Sequence, residues 1–167
     1  MDSWPAVNQT LTGIVLRHKP LFESKWQIML LTPSQGRVYA LSRSPSKKNP
    51  FQGHLEPSNR VELSVFQGKT FTYINHGQAI ETFSSLRTNY SHFEFTMHVF
   101  NLIIRSTMIQ QPSPELYELL LSTLRKLKES PNLTELRQTV ERDILTCEGL
   151  GGNECESYSD QLKRYTN

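Results

Sequence analysis

Arg37, Tyr39, Arg43, Lys47 and Lys48 fall within twelve residues of a 167-residue chain and combine cations with an aromatic ring. Those residue types suit a phosphodiester strand with unstacked bases. Lysine and arginine displace condensed counterions, and an exposed ring offers a base a face to stack on. On a period-two strand, Arg37, Tyr39, Leu41 and Arg43 share one face, with Val38 and Ala40 on the other. Lys47 and Lys48 follow in a proline-punctuated loop, and Arg17, Lys25 and Lys69 are expected as rim charges of the same DNA-binding surface. The charge distribution supports this reading. Residues 1–80 carry nine Lys/Arg against four Asp/Glu, and residues 81–167 carry nine against twelve. A basic front half suits a polyanion, and an acidic back half suits another task.

Other chemistry is poorly served. Glu94 and His98 stand at i, i+4, but His92 and His98 are six apart and point about 120° away from each other on a helix, so they cannot share one ion. There is no glycine-rich phosphate loop, no Gly-x-Ser-x-Gly elbow and no Cys/His nucleophile arrangement. Cys147 and Cys155 are the only cysteines, too few for a four-cysteine zinc site, and free thiols are expected. No metal, cofactor or catalytic centre is therefore expected. No apolar run approaches the ~20 residues of a membrane helix, and no signal-peptide pattern is read at the start, which makes the cytosol the expected compartment.

The elements that must position these residues change character midway. Residues 11–17 and 25–32 read as strands, separated by a Lys19-Pro20 loop. Pro33-Ser-Gln-Gly36 is a tight turn, with proline preset for its second position and glycine free to take positive φ, so residues 25–43 form a hairpin. After a long connection at 44–58, strands are expected at 60–66, with Val61, Leu63 and Val65 inward, and at 70–76. Five short strands with one long excursion fit an OB-type barrel, whose strand 2–3 face and neighbouring loops are the usual oligonucleotide surface; an SH3-like barrel has similar strand counts. Past Gly77 the period becomes helical. Tyr90, Phe93, Met97, Phe100, Ile104 and Met108 form one stripe, widened by Phe95, Val99, Leu102 and Ile103. Ser113-Pro114-Glu115 and Asn132-Leu-Thr-Glu135 are helix starts, followed by Leu116, Leu120, Leu124 and Leu127, then Leu136, Val140 and Ile144. Gly149 fits a helix C-terminal cap. The fold class is thus α+β: an OB-type five-stranded barrel over 1–80, a helical domain over 81–148, and a polar tail over 149–167 expected to be mobile.

Thr12-Gly-Ile-Val-Leu-Arg17, Leu30-Leu-Thr32, Gly36-Arg-Val-Tyr-Ala40 and Leu55-Glu-Pro57, followed by Phe83-Ser-Ser-Leu-Arg87 and the leucine run from Pro114 to Leu127, occur in an order and spacing that resembles the RecO family of bacterial recombination mediators. The resemblance implies an OB domain that binds single- and double-stranded DNA. It further implies strand annealing without catalysis, help in loading recombinase onto coated single strands, partnership with RecR, and contact with the acidic tail of single-stranded-DNA-binding protein. Leu124, Arg125 and Lys128 are the candidates here for that tail. The zinc-site cysteines of many members have no counterpart in this chain. The rivals are an OB-type adaptor without DNA binding and an RNA-binding barrel.

Overall fold

A computed structural model describes residues 8–22, 24–43, 54–129 and 131–149. Its elements are β1 (Gln9–Phe22), β2 (Lys25–Thr32), β3 (Gly36–Arg43), β4 (Arg60–Gln67) and β5 (Thr72–Glu81), then α1 (Ser84–Thr88), α2 (Tyr90–Ser106), α3 (Pro114–Lys128) and α4 (Leu133–Cys147). They divide into two compact units. The first holds most of the strands, and the second holds the helices together with Pro33–Arg37, the turn between β2 and β3.

The strands close in the order β1-β2-β3-β5-β4, which is an OB-type barrel. β1 serves two neighbours: residues Gln9 to Ile14 pair with β4, and Ile14 to Phe22 pair with β2. It therefore runs straight through Lys19-Pro20, where the sequence suggests a loop, and a register shift near each end of the β2 pairing accommodates the bend. Inside lie Leu11, Val15, Ile28, Leu30, Val38, Val61, Leu63 and Val65, the period-two set of four strands. Leu55, from the turn before β4, joins them. That turn is held by Ser58 N–H donating to Val15 O (2.8 Å) and Val15 N–H donating to Asn59 O (3.0 Å).

β5 begins and ends later than its sequence pattern indicates, and the reason lies in its register. Ser64 pairs with His76 but Val65 with Ile74, so Asn75 is an extra residue; Val61 pairs with Ala79 but Arg60 with Glu81, so Ile80 is another. Each bulge inverts the alternation. Ile74 packs on the core while Tyr73, His76 and Gln78 stand opposite the outward residues Phe66, Ser64 and Glu62. Ile80, as a bulged residue, is exposed.

In the helical unit α2 buries Phe95, Thr96, Val99, Phe100, Leu102 and Ile103. Tyr90 and Phe93 remain 78% and 41% exposed, and Met108 lies beyond the helix end at 72%. Of the expected stripe, Phe100 is buried while Tyr90, Phe93 and Met108 at its ends are not, and the packed face runs instead through Phe95, Val99, Leu102 and Ile103 together with Phe100. α3 buries Leu116, Leu120, Leu124 and Leu127, and α4 buries Leu136, Val140 and Ile144, as their spacing predicts. Asn132 caps α4, its side chain accepting from Thr134 N–H (3.1 Å) and Glu135 N–H (3.4 Å). Gly149 follows the helix at positive φ.

Arg37 is only 8% exposed. Its Nε donates to Thr107 Oγ1 (3.0 Å) and its Nη2 to Thr107 O (2.7 Å). Thr107 caps the C-terminus of α2, and its own N–H and hydroxyl donate to Ile103 O. A guanidinium there satisfies a terminal carbonyl and opposes the negative end of the helix dipole. Replacing Arg37 with alanine would leave that carbonyl unmet, and is expected to cost about 2 kcal/mol, read as a lower urea midpoint at unchanged slope.

Candidate nucleic-acid interface

Phe66, the penultimate residue of β4, and Tyr73, the second of β5, are cross-strand partners. Their rings stack at 5.3 Å between centroids and 20° between planes. Phe71, in the connection between these strands and 37% exposed, meets Tyr73 edge-on at 6.4 Å. The connection is tight: Gly68 N–H donates to Phe71 O (2.8 Å), and Thr72 Oγ1 donates to Gln67 Oε1 (2.7 Å). Gly68 is required here because a Cβ would lie 2.7 Å from Tyr73 Cε2, so any side chain would push the ring off the turn.

Lys25, the first residue of β2, holds its ammonium 5.4 Å from the centroid of Tyr73. That contact unites the β1–β2 connection with the β4–β5 connection, the two loops that flank oligonucleotides in OB barrels. Phe22, paired with Lys25, is exposed, and so is Lys69 in the β4–β5 connection. Arg43 is exposed at the end of β3, two residues past Leu41, whose backbone pairs with Tyr73. Arg17 is exposed on β1. The arrangement supplies cations around a stacked aromatic pair, which can hold phosphates and bases of any sequence.

The residues proposed from the sequence thus separate. Lys25, Arg43 and Lys69 fall around or next to the aromatic group, with Arg17 further along β1. Arg37 does not belong to the surface: it is committed to Thr107, as described above. Nor does β3 present the alternating face expected of it, since Val38, Ala40, Leu41 and Ser42 are all buried and Tyr39 is half-buried. Lys47 and Lys48 lie outside the described residues. Sequence reasoning missed Phe66, Phe71 and Tyr73. Their signal was available: rings on both sides of Gln67-Gly-Lys69 must meet once that segment is a hairpin turn.

Among the tail-binding candidates, Leu124 is buried at 1% exposure in the helical core and has no surface to offer. Arg125 and Lys128 are exposed, and Lys128 lays its ammonium 4.3 Å from the centroid of the Phe83 ring. His98 does not pair with Glu94; it meets Glu141 of α4 at 2.6 Å, linking two helices. Cys147 is exposed, but partial desolvation and then Glu148, Glu115 and Asp143 raise its pKa, which keeps it a thiol. Cys155 lies outside the described residues. Desolvation likewise raises the pKa of Glu148, whose Oε1 has no hydrogen-bond partner among the described residues at the negative end of α4.

The closed five-stranded barrel followed by helices defines a class of fold, an OB-type barrel joined to a helical unit. Comparison with known proteins narrows it. Residues 7–83 match the family model "Recombination protein O N terminal". The chain is 26% identical over 158 residues to the DNA repair protein RecO of Dehalococcoides mccartyi, covering 93% of this chain and 62% of that one. It is 31% identical over 118 residues to RecO of Syntrophobacter fumaroxidans (70% and 47%) and 28% identical over 139 to RecO of Listeria monocytogenes (83% and 54%). The barrel-bearing part of this chain is similar to the RecO N-terminal family, and the likeness to DNA repair proteins extends into the helices. The chain spans about half the length of the curated relatives it matches.

Two outcomes follow from this geometry. Tyr73→Ala is expected to weaken binding of a single-stranded oligonucleotide about tenfold, the scale of one lost base–aromatic stack, as measured by fluorescence anisotropy. Glu148 has a folded-state pKa raised above its ordinary value. The penalty on its charged form therefore sets in as pH rises through the ordinary value, is complete above the raised one, and vanishes where the group is protonated in both states. Glu148→Gln should raise the urea midpoint at neutral pH and leave it unchanged at about pH 3, below the carboxylate range.

Proposed function

We propose that this protein is a non-catalytic DNA-binding factor of recombinational repair. It gathers single strands on the barrel and also accepts duplex DNA. The observation that carries this reading is the Lys25–Tyr73–Phe66 cluster joining the two OB binding loops, on a barrel similar to the RecO N-terminal family. Strand annealing and assistance to recombinase loading follow from a surface that holds strands chiefly through their phosphates and through stacking, terms every sequence shares. RecR and the acidic tail of single-stranded-DNA-binding protein are the proposed protein partners. Arg125 and Lys128 are offered to the tail as exposed cations without the leucine beside them. The proposed compartment is the bacterial cytosol. Among the described residues no helix is long and apolar enough to cross a membrane.

Phosphate-led binding has a signature in salt. With about four phosphates engaged, log affinity for single-stranded DNA should fall against log salt with a slope near −3. Titrating a labelled oligonucleotide at several salt concentrations measures it. A measurable affinity with a slope near zero would overturn the electrostatic mechanism, and no binding at low salt would favour the adaptor reading. Competition by RNA of equal length tests the choice of polymer.

A further inference from the structure

Beside the aromatic pair, the outer surface of β1, β4 and β5 carries a shallow groove of about 310 Å³ lined by Thr10, Glu62, Ser64, His76, Gly77 and Gln78. That volume is at the lower end of the ~300–1,000 Å³ usual for small-molecule sites. Its position follows from register. Phe66, Ser64 and Glu62 are successive outward residues of β4, each about 6.7 Å from the next. Across from them on β5 stand Tyr73, His76 and Gln78. The bulge at Asn75 makes this possible, since strict alternation from Tyr73 would turn His76 and Gln78 into the barrel. Asn75 is itself held by a hydrogen bond from its Nδ2 to Asn8 Oδ1 (3.0 Å). On the far side, Thr10 pairs with Ser64 and Thr12 with Glu62. One step from the aromatic platform, about the length of an extended nucleotide, is thus a polar hollow with exposed Glu62, His76 and Gln78.

We infer that this groove receives the base next to the one stacked on Phe66 and Tyr73, and that it selects a base carrying an exocyclic amino group, cytosine above thymine. The inference rests on the DNA-binding reading above and adds a strand path along β4 and β5. An ionised Glu62 offers only acceptors, which suit the N4 amino group of cytosine and oppose the O4 carbonyl of thymine. The Gln78 amide and the Ser64 hydroxyl can donate to the ring nitrogen and carbonyl of the same edge. The phosphates stay with Lys25 and Lys69. A carboxylate inside the groove disfavours a phosphate there, which leaves the base edge as the group that enters.

The test compares oligo-dC with oligo-dT of about 15 nucleotides, within the ~4–16 spanned by one OB fold. Anisotropy is read at pH 8, where cytosine is unprotonated, on the full chain and on Glu62→Gln and Gln78→Ala, both at exposed positions. The expected result is about three- to tenfold tighter binding of dC. In Glu62→Gln the preference should shrink below about twofold, with dT binding gained, because an amide can also donate to O4. Equal, salt-sensitive affinity for dC and dT in the unaltered protein would overturn the groove assignment and leave the DNA-binding reading standing. A dC preference that survives both substitutions would overturn it too, by locating selectivity elsewhere. Failure to bind either oligonucleotide at low salt would end both.

Discussion

β4 must turn Val61, Leu63 and Val65 into the barrel, and a strand with period-two geometry then has no choice about Glu62, Ser64 and Phe66, which go outward. Everything on the candidate surface depends on how β5 answers that alternation. With a regular ladder, β5 could match β4 over only part of its length before a polar residue such as His76 was driven into the core. The bulges at Asn75 and Ile80 take up the mismatch. They keep Ile74 against the core and leave Tyr73, His76 and Gln78 outside. The same register that closes the barrel therefore builds the stacked pair and the groove beside it.

A second constraint concerns charge. A guanidinium in water and a guanidinium at a helix terminus look alike in a list of residues, but only the first is free to take a phosphate. Arg37 sits where the β2–β3 turn meets the end of α2 within the helical unit, and Gln110 N–H donates to its backbone carbonyl (2.9 Å). Its side chain meets both polar oxygens of Thr107. Removing it from those contacts would leave half-buried acceptors at a helix end without their donor, whereas leaving Lys69 unbound to DNA costs little, because water solvates an exposed ammonium. Net positive charge in the front half is thus a guide to the partner's sign and a poor guide to which cations do the contacting.

The helical unit makes a similar point about apolar residues. Along α2 both Tyr90-Phe93-Met97 and Phe95-Val99-Ile103 have helical spacing, and periodicity alone cannot rank two stripes that overlap. Packing against α4 and α1 resolves it in favour of the second. α3 and α4 were easier to read. Each has one stripe and a definite start, Pro114 after Ser113 in one and the Asn132 cap in the other, so phase and boundary agree.

By itself the sequence determined the class of architecture, the hairpin through Pro33–Gly36, the inward rows of β4 and the helix starts. These follow from local chemistry: alternation, proline and glycine geometry, and side chains that cap a helix. It also carried the family likeness and the basic character of the front half. Only the tertiary structure decided that β1 passes through Lys19-Pro20 to serve two neighbours, that Arg37 and Leu124 are committed inside, and that Phe66 and Tyr73 stack beneath Lys25. The physical reason is common to all three. Register shifts, burial and contacts between residues far apart in the chain depend on which strands and helices become neighbours, and no local spacing encodes that.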